Sequence, residues 1–422
     1  MLWKHVFLIG LLSLTVSLVH AQDNATACVP AAGDVLHIGA VFPSQTVLMA
    51  SAITPYQGVV AMVDAVNACG GIAGHPLELV SVPANNRDSA REAVAKLSGD
   101  VPLIIGSGLP AVSEVLLDAS HDGKFVYWEV TEPLDKPHQW SFSPLPNNAQ
   151  LGSQSANFIQ SRVSTLLADK PLRLAIIYQK RPAAQQIVDA LASDLPTVPV
   201  LTYAYDNVLY DGESVAQQIR EKKINALVVV GFDHDTDNFW LSMRQTDANV
   251  LAYIQVSAEP DRSNWCEHVG NTDGLITVSR TGAVNPAYRQ QHIGALYDQY
   301  LTAYKEKSAA VPDESADLAA SGTYLLLHDI LPLAADDFTV ANLQRTLTTL
   351  QLSTGHGLMG EGFAVDGKSL LNGAGIAIFQ QRQDNQFCSL APSDIATCSS
   401  DLQPFPTWRE RVSQPQFASC ID

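Results

Sequence analysis

The chain has 422 residues, 46% of them apolar, and a net charge of −18. That length is more than one hydrophobic core serves, so two domains are expected, and the apolar content is enough to pack both. The acidic surface argues against nucleic acid and anionic lipid headgroups as partners. In chain order, Lys4 is followed by a mostly apolar run of 14 residues, Val6–Val19, and then by Val19-His20-Ala21, a small-x-small cleavage pattern. This reads as a secretory signal peptide over 1–21, because a spanning anchor needs about 20 apolar residues. The residue directly after the cleavage point is Gln22 rather than a cysteine, so a lipid-anchored form is not suggested.

From Val35 short apolar runs alternate with amphipathic stretches. Val35–Phe42 predicts a strand. Thr54–Ala68 predicts a helix from the spacing of Val59, Val60, Met62, Val63 and Val66, ended by Gly70-Gly71. Pro76–Val82 predicts a strand, and Asp88–Leu97 a helix with Asp88 as N-cap. Leu103–Ile105 begins a strand that runs into Gly106-Ser107-Gly108. Pro110–Ser120 is a helix with proline in its first turn, and Lys124–Val130 a further strand. A Pro/Asn cluster over Trp140–Asn148 suits a crossover between two lobes.

The pattern then restarts. A helix over Gln150–Leu167 precedes strands at Leu174–Tyr178, Val198–Tyr205, Ala226–Phe232, Leu251–Val256 and Leu275–Val278. The last third reads as helices at Pro286–Lys305, Ala316–Leu333 and Val340–Leu350, then a strand at Gly375–Gln380. Apolar strands alternating with helices predict parallel sheets covered on both faces and wound right-handedly. The fold class is therefore α/β, with two doubly wound lobes.

Six cysteines, Cys28, Cys69, Cys266, Cys388, Cys398 and Cys420, all follow the leader. In an exported chain they read as disulfides, with Cys388 and Cys398 the first candidates for a pair. Metal ligation finds no C-x-x-C or matching histidine spacing. Neither a G-x-S-x-G elbow, nor a P-loop, nor an H-E-x-x-H or G-x-G-x-x-G motif occurs, so no enzyme chemistry and no cofactor are indicated. Asp233–Asp237 begins like a calcium loop, but Asn238 and Arg244 stand where glycine and glutamate are needed. It reads as an acidic helix start. His268, His292 and His356 are isolated in sequence.

Four patches in register resemble the leucine/isoleucine/valine-binding protein family of ABC importers: Ile38–Pro43 (IGAVFP), Val66–Val80 (VNACGGIAGHPLELV), Ile104–Leu116 (IIGSGLPAVSEVL) and Gly360–Gln380, which opens GEGFAVDGKS. The resemblance implies two discontinuous lobes of the type I periplasmic binding protein fold, joined by three crossovers around a ligand cleft. The first would take 31–146 and 281–336, the second 147–280 and 338–399, with 400–422 a C-terminal tail. It also implies an exported, periplasmic monomer whose partners are a small-molecule ligand and the permease subunits of an ABC transporter.

The cleft residues follow from this likeness and from the rule that ligands sit beyond the C-terminal ends of strands. Ser107, Gly108, Leu109 and Pro110 form a turn at a helix N-terminus, suited to a carboxylate, although the same turn also serves as a plain connection. Thr131 matches the family's carboxylate-binding threonine. Glu129 stands where the family has a small residue, and would face a ligand donor or a basic neighbour. Trp128 is placed to stack on ligand or to pack in the core. Ser51 and Phe232 align with family positions but replace tyrosines, and Pro110 replaces a serine; the family's ammonium-binding acidic position falls within Ser257–Glu259, with Glu259 the candidate. The family's amino-acid clamp is thus only partly present, and the expected ligand is an amino acid or another small, partly apolar organic compound. A soluble sensor acting through a separate membrane protein is the alternative function.

Overall fold

The computed structural model describes residues 28–44, 53–168, 170–195, 199–206, 211–231, 233–256, 273–384, 386–398 and 401–412. The expected leader, Ser51, Phe232, Glu259, Cys266, His268 and Cys420 lie outside them.

Strands β1 (Leu36–Val41), β2 (Leu77–Ser81), β3 (Leu103–Gly106), β4 (Val126–Glu129) and β5 (Ser141–Phe142) form a parallel sheet in the order β2-β1-β3-β4-β5. Helices α1 (Thr54–Ala68), α2 (Arg87–Leu97) and α3 (Pro110–Ser120) connect β1 through β4. The inner strands β3 and β4 bury both faces, as their near-continuous apolar runs require, while the edge strand β2 is partly exposed. On one face Val41, Ile104, Phe125 and Tyr127 pack with α2 and α3. On the other, Ile38, Ile105, Val126 and Trp128 pack with α1 and with helices from later in the chain.

Helix α2 is capped by Asn86, which forms a capping box with Ser89. The expected cap, Asp88, instead lies in the first turn, where its charge still favours the helix.

The second lobe begins with α4 (Asn148–Phe158), which continues through a π-helical turn at Ile159–Val163. Strands β6 (Leu174–Gln179), β7 (Leu201–Tyr205), β8 (Ala226–Val230), β9 (Ala252–Val256) and β10 (Leu275–Ser279) are parallel in the order β7-β6-β8-β9-β10. Helices α5 (Pro182–Asp194), α6 (Gly212–Glu221) and α7 (Asp233–Gln245) alternate with them. Leu151, Phe158, Ile187 and Leu191 cover one face, and Val215, Ile219, Phe239 and Trp240 the other.

The chain then returns to the first lobe. The predicted long helix at 286–305 is two, α8 (Pro286–His292) and α9 (Ala295–Ser308), separated at Ile293-Gly294. With α10 (Glu314–Tyr324) they bury Tyr288, Tyr300, Tyr304 and Ala316 in the first core.

The expected change of lobe at 336–338 is corrected. Helix α11 (Val340–Thr349) inserts Leu343 and Leu347 into the first core, and the short pair β11 (Gln351–Leu352) and β12 (Phe363–Ala364) brings Phe363 there too. Only β13 (Ile378–Gln383) rejoins the second sheet, antiparallel to β10 and paired with β14 (Gln386–Ala391). The expected tail is corrected as well. Phe405 and Trp408, the latter opening α12 (Trp408–Val412), are buried on the second sheet's outer face. The Trp408 indole donates to Ala248 O at 2.7 Å. Burial of two large aromatics offsets part of the cost of ordering this segment.

Cys388 and Cys398 form a disulfide, and Cys28 pairs with Cys69.

Candidate ligand cleft

The three crossovers lie against one another. The first, Ser143–Asn147, leads from β5 to α4, the second follows β10, and the third precedes β13. Arg280 on the second is half-buried, and its Nε and Nη2 donate to Pro146 O and Asn148 Oδ1, both at 2.9 Å. Burial pushes its guanidinium down to about 10, while Glu132 and Asp135 favour its charge. Asn372 on the third donates to Pro144 O at 2.7 Å and to Gly362 O at 3.0 Å. At Gly375 a Cβ would come within 2.8 Å of Pro146 N, so only glycine lets these two segments touch.

The loops beyond the C-terminal strand ends of the two lobes meet beside this hinge. Asn148 donates to Asp135, in the loop after β4, at 3.3 Å. Gln186 of α5 reaches the same carboxylate at 3.1 Å with its amide nitrogen turned toward it. The space between these loops is the candidate cleft.

On the first lobe the predicted turn and strand end come together around Glu129. Its side chain is 0% exposed and accepts six hydrogen bonds. Oε1 takes Ser107 N–H at 3.1 Å, Thr131 N–H at 2.8 Å, Thr131 Oγ1–H at 2.7 Å and Glu132 N–H at 3.2 Å. Oε2 takes Ser113 Oγ–H at 2.5 Å and the Tyr127 hydroxyl. No basic side chain is among these partners. Burial, together with the adjacent Glu129 carboxylate, holds the Tyr127 hydroxyl well above its usual range, so it stays a donor. Thr131 Oγ1 in turn accepts from Gly108 N–H at 2.9 Å. Gly108 has φ +79°, a conformation that costs other residues strain. Ser107 is fully buried, with its hydroxyl donating to Leu109 O at 3.0 Å. Leu109 is half-buried, and Pro110, at the head of α3, is exposed.

Trp128 is placed away from this cluster. It is 0% exposed, packs in the first core 5.1 Å from the Phe363 ring, and donates from its indole to Gly322 O at 3.1 Å. Alternation along β4 explains the split: Tyr127 and Glu129 point to the α3 side, Trp128 to the opposite face. The same period-two rule could have paired Tyr127 with Glu129 from sequence. Ser113, Arg280 and Asn372 escaped that reading, because their partners are distant in the chain.

Two strands along the same edge, Phe42, Ile53, Tyr56, Val82 and Pro83 line a mostly apolar cavity of about 250 Å³ at the C-terminal ends of β1 and β2. The Tyr56 and Ser81 hydroxyls bond at its rim, 2.8 Å apart. Among the described residues, no cluster of histidine, cysteine, aspartate and glutamate is arranged to hold a metal ion, and no helix is long and apolar enough to cross a membrane.

Residues 35–383 match the family model described as periplasmic binding protein. The chain belongs to this family. No curated protein matches it. A putative branched-chain amino acid ABC transporter from Silicibacter pomeroyi superposes with TM-score 0.71 at 17% identity, covering 89% of this chain and 100% of that one. The branched-chain amino acid transporter substrate binding protein of Streptococcus pneumoniae, solved with isoleucine, gives 0.58 at 14%, covering 84% and 98%. A solute binding protein of an ABC transporter from R. palustris, solved with benzoate, gives 0.57 at 14%, covering 88% and 99%. At these identities the likeness is one of fold. In this periplasmic binding protein the strand-end edge of the first lobe is internally bonded, with Glu129 at its centre.

Proposed function

We propose that this chain is the extracytoplasmic solute-binding component of an ABC importer. It captures a small, partly apolar organic compound by closing two lobes, without converting it chemically. The observation that carries this reading is the hinge. Two separately cored sheets are joined by three crossovers that touch one another, with the C-terminal strand edges of both lobes meeting beside them. That is a geometry for hinge closure around a ligand at the strand ends. Two disulfides support an oxidising, extracytoplasmic compartment. The partner would be the membrane-bound permease that receives the closed form.

Closure needs a ligand that prefers the closed state, since equal affinity for both states shifts nothing. A thermal-shift panel of amides, alcohols, amino acids and aromatic acids finds such a compound. At 100 times its dissociation constant it stabilises the fold by about 2.7 kcal/mol. Small-angle scattering with that compound is expected to show a smaller radius of gyration. A stabilising compound that left the radius unchanged would remove the closure mechanism.

A further inference from the structure

We propose that Glu129 is a resident carboxylate that takes up the anion-binding donors of the cleft's first lobe, so that the solute of this protein carries no carboxylate of its own. The inferred class is a neutral, partly apolar compound such as an amide or an alcohol. This rests on the solute-binding reading above and narrows it.

Most donors of this edge are already engaged. The edge formed by the β3–α3 turn and the end of β4 is where backbone N–H groups and a helix N-terminus would ordinarily hold an anion. Here Ser107 N–H, Thr131 N–H, Glu132 N–H and the Thr131 hydroxyl all turn inward to Glu129 Oε1. Gly108 N–H is spent on Thr131 Oγ1, and Val112 N–H and Ser113 N–H on Leu109 O. Pro110 has no N–H to give. A second carboxylate brought to this edge would find these donors engaged and would stand next to a buried negative charge. Isoleucine and benzoate, bound by the two relatives named above, both carry a carboxylate. The apolar cavity on the same edge, rimmed by the Tyr56 and Ser81 hydroxyls, suits an uncharged body with one polar group.

The test is chemical rescue of Glu129→Ala in the full-length oxidised protein. The variant orphans six donors and is expected to lose roughly 10 °C in Tm. Sodium formate or acetate at millimolar concentration should restore most of that loss saturably, while chloride at equal ionic strength should not. Wild type and Glu129→Gln, whose side chain still fills the space, should show no such response. If Glu129→Ala fails to fold in buffer, its refolding yield in formate against chloride gives the same reading. Absence of carboxylate-specific rescue in both Tm and refolding overturns the proposal. So does a saturable stabilisation of the wild type by isoleucine or benzoate, for which no shift is expected. The two readings fail separately: lobe closure on a carboxylate would sink this inference and leave the solute-binding function intact. Rescue of Glu129→Ala in a protein whose lobes never close would do the reverse.

Discussion

Glu129, fully buried, and Arg280, half-buried, are separated by role. Glu129 draws together two neighbouring loops, whereas Arg280 joins crossovers 134 residues apart in sequence through Pro146 O and Asn148 Oδ1. A planar guanidinium serves both acceptors at once, which a lysine ammonium on its flexible stem does less well. Replacing Arg280 with Met is expected to cost about 1–3 kcal/mol for each acceptor left unpaired, with Arg280→Lys in between, as read from urea midpoints. A methionine variant as stable as wild type would mean that packing alone holds these crossovers. Glu129 was legible as an oddity, a carboxylate in a place that suits a small side chain, but its partners were not. The basic neighbour one would look for is replaced by hydroxyls and backbone N–H groups. Arg280 left no sequence trace, because nothing local distinguishes an arginine that binds a distant carbonyl from a solvated one.

The parallel strands and the helices between them could be read from apolar periodicity, since burial on both faces leaves an unbroken apolar run. The strand read at Gly375–Gln380 overlaps the start of β13, but its continuation and the partner β14 left no apolar signal. Gln380, Gln381, Arg382 and Gln383 are polar, yet all four are buried. Gln381 is satisfied by giving hydrogen bonds to Gly274 O and Gln403 O and accepting one from Gln403 N–H. The segment at 401–408 that completes this network looks like a solvated tail until Phe405 and Trp408 are seen in the outer core. The Cys388–Cys398 disulfide holds this region by tying β14 to the residues that bond Ser389 O. Closing so short a loop contributes roughly 3 kcal/mol in the chain-entropy model. The double variant Cys388→Ser/Cys398→Ser should therefore unfold at lower urea concentration by about that free energy, and reductant should not lower it further through this bond. An unchanged midpoint would mean that the Thr397 and Cys398 N–H bonds to Ser389 O hold the turn unaided.

At the scale of the whole molecule, two lobes and a break near 140–148 were legible, whereas the third crossover was not. An amphipathic helix such as α11 records only that one face is buried, not in which lobe, and Leu343 and Leu347 enter the first core. The return to the second sheet thus comes after Val365, and Asn372 lies on that return. Its side chain binds Pro144 O and Gly362 O and accepts from Ala364 N–H and Ala374 N–H, both at 3.0 Å, while its carbonyl accepts from Gln150. A tie of this kind, between two crossovers and the start of α4, is expected to narrow the range of lobe angles before solute binds. Asn372→Ala should widen that range and lower the share of molecules ready to close. Apparent affinity falls in proportion to that share, so a loss of about 3–10-fold is expected for the solute found by thermal shift. Scattering should show a larger radius of gyration without solute and an unchanged one at saturation. Equal weakening with the same radii in both states would place Asn372 in local packing. A changed radius at saturation would mean that the third crossover sets the closed form as well as the open one.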